Sequence, residues 1–304
     1  MLERSRIVGL AAWATLVSQI VIVGTGGAVR LTGSGLGCSR WPNCTAESFT
    51  PVPEQGIHGL IEFANRVWGG IVVLIAVIML VVAIRRHAGR TVVALASLVL
   101  GLTVAQALIG AVVVWMELRP DTVGVHFLLS VMLVALSAVL VWKVVAGPSG
   151  PRCAPAWQRI LVHVMTLALA VVIVVGVLTT GSGPHAGDGG AARNGLDPAV
   201  MQHLHAWPGY ALLALTIGVV AAAALRGPRM HLRWSAALLA VLLLQIAIGI
   251  VQSNLGLPVL LVGVHMVLAV ISAAIGAAVV LSLRPPMAAD ASSGRAGASV
   301  VVDA

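Results

Sequence analysis

The sequence predicts an all-α integral membrane protein: eight transmembrane helices arranged as two tandem four-helix bundles, related by a parallel internal repeat. Three observations carry that expectation. The first is apolarity. Of 304 residues, 59% are hydrophobic and 9% charged, with a mean hydropathy of +1.04, and so few charges cannot cover a water-facing surface. Apolar runs of about 20 residues recur along the chain, each able to cross a hydrocarbon core of roughly 30 Å. The second is charge placement, and the third is internal repetition.

The spans are expected at 7–29, 60–84, 91–115, 123–145, 159–179, 203–225, 234–253 and 259–283. The first, IVGLAAWATLVSQIVIV after MLERSR, is too long for a signal-peptide core and has no suitably placed small-residue cleavage site. With the N-terminus inside, 13 of the 18 Lys and Arg fall on the inner side, in short clusters such as Arg85, Arg86 and Arg90, and Arg226, Arg229 and Arg233. The excess of basic residues in inner loops sets the orientation, with both termini cytoplasmic and the chain in the cell membrane. The carboxylates agree: Glu47, Glu54, Glu62, Glu117, Asp121, Asp188 and Asp197 all fall outside or at the outer rim. A formal charge of +8 could suggest nucleic acid, but the basic residues lie between apolar runs with almost no aromatics interleaved. Nucleic acid is excluded as a partner.

Repetition divides the chain. Thr32-Gly33-Ser34-Gly35 returns as Thr180-Gly181-Ser182-Gly183. Gln106 and Gly110 are answered by Gln245 and Gly249, and Gly124-Val125-His126 by Gly263-Val264-His265, at a constant offset of 139. Four spans per copy give both copies the same orientation, related by an axis along the membrane normal. The halves are expected at 1–146 and 159–284, joined by an inner linker at 147–158. Residues 285–304, rich in Ala, Ser and Gly, are expected to be a disordered inner tail.

Histidine is the most informative residue type. His126 and His265 occupy equivalent places near the outer ends of spans four and eight, and an imidazole in hydrocarbon needs a partner. Two at matched positions favour ligation over an interhelical hydrogen bond. Register from the inner ends sets His205 against Asn65 and pairs His205 with His265 at similar depth, an arrangement suited to a haem held between two helices. His203 points to nearly the opposite face from His205, and His205 is preferred. In the first copy Asn65 is a poor iron ligand. His58 lies two turns earlier on the stripe of Glu62 and Asn65, so His126 has either His58 as partner or an open position opposite it. His87, His163, His185 and His231 lack repeat partners and are read as structural, with His87 and His231 in inner loops.

Cys38 and Cys44, flanking Ser-Arg-Trp-Pro-Asn on the oxidising side, favour a disulfide closing a small loop, with a redox-active role open. A metal site would need more ligands than this segment shows. Cys153 is on the inner side and unpaired. Glu62 is the carboxylate nearest the membrane interior, either a rim residue paired with Arg66 or a group for proton transfer. Arg30 and Arg66 are outer-rim cations suited to haem propionates.

GGAVRLTGSGLGCSRWPNC after the first span, IEFANR opening the second, TGSGPHAGD after the fifth and the embedded histidines together resemble the haem A synthase family, over about 280 residues. The resemblance implies oxidation of the C8 methyl of haem O to a formyl group, giving haem A for terminal oxidase assembly. It implies haem O as substrate in the first half and haem b as cofactor in the second, ligated by His205 and His265, with His126 on the substrate iron. It further implies a membrane electron acceptor or donor, and haem O synthase and terminal oxidase assembly factors as partners; a homo-oligomer is compatible with it. The family motif Glu-x-x-His-Arg reads Glu62-Phe-Ala-Asn65-Arg66 here, so its usual histidine is missing while Glu62 and Arg66 match. Two other classes are weighed. A di-haem b quinol oxidoreductase would have two equally ligated haems, against the Asn65/His205 asymmetry. A repeat-built transporter would place polar residues at mid-membrane, whereas here they cluster at the outer rim.

Overall fold

The computed structural model describes residues 2–147, 150–151 and 154–284. Arg152, Cys153, Arg295 and the tail expected at 285–304 lie outside the described residues, as does part of the expected linker. Eight helices follow one another: α1 (Leu2–Leu31), α2 (Gly56–Arg85), α3 (Arg90–Trp115), α4 (Pro120–Val145), α5 (Ala156–Ser182), α6 (Pro198–Arg226), α7 (Arg229–Asn254) and α8 (Val259–Leu281). One turn of 3-10 helix, Pro53–Gln55, precedes α2. All eight helices are long and apolar enough to cross a membrane, and among the described residues there is no strand. In hydrocarbon only such a helix satisfies its own backbone within one segment. The chain is a multi-pass helical membrane protein.

Proline sets where most helices begin. Pro120 and Pro198 lie in the first turn of α4 and α6, and Pro155, Pro228 and Pro258 are the cap residues of α5, α7 and α8. A proline there loses no helical hydrogen bond and presets φ. At α6 the Asp197 carboxylate accepts from the backbone N–H of Ala199 (2.8 Å) and Val200 (3.0 Å), capping two donors that the helix leaves unmet. Most helices run a few residues past the expected spans. The second Thr-Gly-Ser-Gly motif is largely helical, since α5 continues to Ser182, whereas the first is a turn after α1. His231, expected in a loop, lies instead in the first turn of α7. It is fully buried there, its Nδ1 sharing a hydrogen bond with Ser282 Oγ at 2.7 Å.

Neighbouring helices close two rings. α1 packs on α2, α2 on α3, α3 on α4 and α4 back on α1; α5, α6, α7 and α8 do the same. Across the boundary α8 packs on α4 and α1, and α4 on α5. Among the described residues the diagonal pairs α1–α3, α2–α4, α5–α7 and α6–α8 make no backbone contact, so side chains alone fill each ring. One apolar core, including Leu16, Met79, Ala96, Val134 and Leu140, fills the first ring. A second, including Val162, Met165, Leu212, Val219 and Leu238, fills the other. Helix α8 contributes Val270 to the first and Val279 to the second. Both cores lie toward the end away from the long loops, 32–55 and 183–197, and that leaves the loop end to polar residues.

Arg30, in the last turn of α1, ties the rings together at the loop end. Its Nε donates to the carbonyl of His185 (2.7 Å) and its Nη2 to that of Thr180 (3.1 Å). Gly35 N–H donates to Gly187 O at 2.8 Å, and His185 Nε2 reaches Leu257 O at 2.9 Å. Bonds from a charged donor contribute about 1.5–3 kcal/mol each. Arg30→Ala, which removes two such bonds, is expected to lower stability in detergent by about 3 kcal/mol or more and to open loop 183–197 to limited proteolysis, which the positions of the first cleavages check.

Candidate functional site at the loop end

His205 on α6 and His265 on α8 face each other across the diagonal of the second ring, their ring centroids 6.2 Å apart and the planes at 76°. Among the described residues this is the one close pair of imidazoles. Nδ1 of each is buried without a hydrogen-bond partner in the protein. Glycine at position 176 makes room on α5, for a Cβ there would lie 2.8 Å from His205 Cε1, a distance real side chains do not tolerate. His203 is exposed, as its opposite facing predicts. Pro208, inside α6, removes the N–H that would bond the carbonyl of Leu204, next to His205.

The first ring is different. His126 on α4 is half-buried, and its Nδ1 also lacks a partner. The residue at the place of His205 is Asn65, whose Oδ1 accepts from Thr25 Oγ1 on α1 at 2.7 Å. His58 is exposed at the start of α2 and shares a hydrogen bond with Ser34 Oγ at 2.9 Å; the structure brings it to Ser34, not to His126. Deeper in this ring Gln19 Nε2 on α1 donates to Thr103 Oγ1 on α3 at 2.8 Å, both buried.

Glu62 is 4% exposed and fully engaged. Its Oε1 pairs with Arg66 Nη2 and its Oε2 accepts the N–H of Cys38, each at 2.5 Å. A disulfide joins Cys38 to Cys44. Arg66 fills the ring it closes, donating to the carbonyls of Cys38 (2.6 Å), Arg40 (2.7 Å) and Asn43 (3.1 Å). Gln55 Nε2 braces the same loop through Gly37 O at 2.7 Å. Arg30 and Arg66, the cations expected to meet propionates, donate instead to backbone carbonyls of the loops and of α5, and Arg66 to Glu62 as well. Sequence reasoning did not foresee this, because carbonyl acceptors leave no trace in residue identity.

Two further features escaped the sequence, although their signal was present in the repeat. Gln106 Nε2 donates to the carbonyl of His126 at 2.7 Å, and Gln245 Nε2 to that of His265 at 3.0 Å. Among the described residues no three His, Cys, Asp or Glu side chains cluster to cage a metal. A ligand held here would meet paired or single imidazoles rather than an all-protein cage.

Eight apolar helices around a histidine-bearing interior at one end define the class, a multi-pass helical membrane protein with imidazoles set between its helices. The chain belongs to the COX15-CtaA family, whose model, described as cytochrome oxidase assembly protein, matches residues 10–276. It is 35% identical over 147 residues to a protein of Lysinibacillus sphaericus called "Heme A synthase", covering 47% of this chain and 46% of that one. A "Heme A synthase" of Staphylococcus saprophyticus is 33% identical over 144 residues, 46% of each chain. A "Protoheme IX farnesyltransferase" of Thermus thermophilus is 31% identical over 151 residues, 45% of this chain and 24% of that protein. The chain thus spans less than half the length of the curated relatives it matches.

Removing one member of a buried ion pair leaves the other charge uncompensated, at about 3–5 kcal/mol. Arg66→Ala is expected to cost at least about 3 kcal/mol in thermal unfolding, well beyond Arg66→Lys, which keeps the charge. Thiol labelling of the unfolded protein without reductant is expected to modify Cys153 alone, with Cys38 and Cys44 reacting only after reduction.

Proposed function

We propose that the protein is a haem A synthase, oxidising the C8 methyl of haem O to a formyl group. The observation that supports this most is the asymmetry of the rings: facing imidazoles in one, a single imidazole with a buried carboxylate in the other. The names of the relatives agree with it. The loop end is the outer face of the cell membrane, with both termini cytoplasmic. Residues 1–146 form the substrate half and 159–284 the cofactor half.

The second ring fits a resident haem b. Two facing imidazoles with ring centroids 6.2 Å apart, each with a buried Nδ1 that has no partner in the protein, fit a group that takes two nitrogen ligands. His205 and His265 are the residues that would hold it. When bound it supplies one-electron transfer. Helices α6 and α8 hold the imidazoles at fixed separation, and the apolar residues below them exclude water.

In the first ring His126 holds the substrate iron, with Asn65 and Arg66 at the edge of the site and Arg30 on the rim beyond. The side opposite His126 is either open or served by His58. Converting methyl to formyl with water as oxygen source releases four electrons and four protons; the electrons leave to a membrane electron acceptor. Glu62, the buried carboxylate on a ligand-bearing face, accepts protons, and its place near the loop end gives a short route to water. A supplier of haem O and the assembly machinery of a terminal oxidase are the partners this activity requires.

A reduced-minus-oxidised spectrum of the purified protein, with extraction and identification of its haems, tests the reading. His205→Ala and His265→Ala are each expected to abolish or grossly shift the haem b absorbance; unchanged spectra in both would refute the ligand assignment. Glu62→Gln is expected to cut haem A formation roughly 100-fold or more, with haem O or its hydroxylated intermediate accumulating and haem b content unchanged. His126→Ala is expected to stop turnover through lost substrate binding. Loss of activity in His58→Ala would support His58 as the second ligand, and near-normal activity the open position.

A further inference from the structure

Gln106 and Gln245 form a repeat-matched pair that the proposed chemistry leaves unused. Each lies on the third helix of its ring and reaches the fourth, donating to the backbone carbonyl of the histidine there. A helical carbonyl already accepts the N–H four residues on, so neither bond is needed to satisfy the backbone. The amide oxygens of both glutamines are buried without a partner, a cost that an apolar residue would avoid. One turn along, Gly110 and Gly249 flank the same imidazoles: a Cβ at either would lie 3.4 Å from the ring Cε1 of His126 or His265. Amide donor, carbonyl, ring seat and uncompensated oxygen therefore recur together in both rings.

We infer that Gln106 and Gln245 are positioning residues, each fixing the height and rotation of its histidine-bearing helix so that the imidazole meets iron at a set place. The inference rests on the ligation proposed above. The glutamine holds the backbone of the histidine, and the glycine beside it leaves the ring its seat. The first ring has the stronger clamp. Gln106 Nε2 also donates to Ser130 Oγ at 2.6 Å, and Ser130 Oγ to the His126 carbonyl at 3.1 Å, whereas the matching residue in the second ring is Ala269. The extra hold falls on the histidine that has no imidazole facing it.

The test uses the full-length protein purified from cells that make no haem O, so that haem b is its only haem and both readouts report the second ring alone. Gln245→Leu keeps side-chain bulk but cannot donate. Iron held between two imidazoles has no place for carbon monoxide, while a loosened His265 opens one. Gln245→Leu is expected to retain haem, to gain a carbon monoxide difference spectrum, and to lose haem to apomyoglobin roughly 2- to 10-fold faster, the worth of one neutral hydrogen bond. Gln106→Leu, in the other ring, is expected to leave both readouts at wild type, which separates positioning from a general folding defect. If Gln245→Leu yields no stable protein, Gln245→Asn, whose amide falls short of the carbonyl, is read in the same way. Wild-type carbon monoxide reactivity and haem loss in the Gln245 variant, with haem gone in His265→Ala, would overturn the positioning role alone. An unaltered spectrum in His265→Ala would overturn the ligation and the positioning role with it.

Discussion

Taking the Glu62 carboxylate and the Arg66 guanidinium out of water together is possible only if every remaining lone pair and N–H at that spot finds a partner. The loop after α1 supplies them: one backbone N–H for Glu62 and three carbonyls for Arg66. The Cys38–Cys44 bond closes the chain around the guanidinium, so the loop's path is dictated by a charge it must surround. From this follow the burial of Glu62, the height at which α2 begins and the engagement of His58 with Ser34.

The two rings share one plan and differ in their polar residues. Both bury apolar cores away from the loop end, and both hang a histidine from the fourth helix beside a small residue on the third. The second then offers a facing imidazole, and the first a carboxylate, an asparagine held by Thr25 and a buried Gln19–Thr103 contact. In the function proposed above, the facing imidazoles serve a group that must not move, and the single imidazole with a carboxylate nearby serves one that reacts.

The spans were legible because an apolar run as long as a membrane is thick has almost no use outside one. Their ends were less so: Gly56 to Gly59 and Pro198 to Gln202 are helical although neither stretch is strongly apolar. Histidine depth could be read from the repeat, since a constant offset transfers register between copies, and the structure sets His205 opposite His265. His231 was misread because basic neighbours suggested a loop, while its burial depends on Ser282, distant in sequence. The use of Arg30 and Arg66 was illegible for a different reason. Apart from the Glu62–Arg66 pair, which the i, i+4 spacing offered, their partners are backbone carbonyls, common to every residue, so only the folded path of the chain reveals them.

Helix pairing across the boundary bears on how far the two halves can differ. Helices α4 and α8 are counterparts in the repeat and pack on each other, and α1 on α8 is mirrored by α5 on α4. That is the contact pattern of an isologous dimer, here within one polypeptide. In a dimer of identical subunits a substitution enters both halves at once, so a histidine lost from one is lost from its twin. A single polypeptide is free of that coupling: Asn65 in one half stands against His205 in the other, and Arg30 reaches the carbonyls of His185 and Thr180 with no reciprocal contact required. Two halves on one polypeptide can therefore keep the same backbone plan while carrying different polar residues.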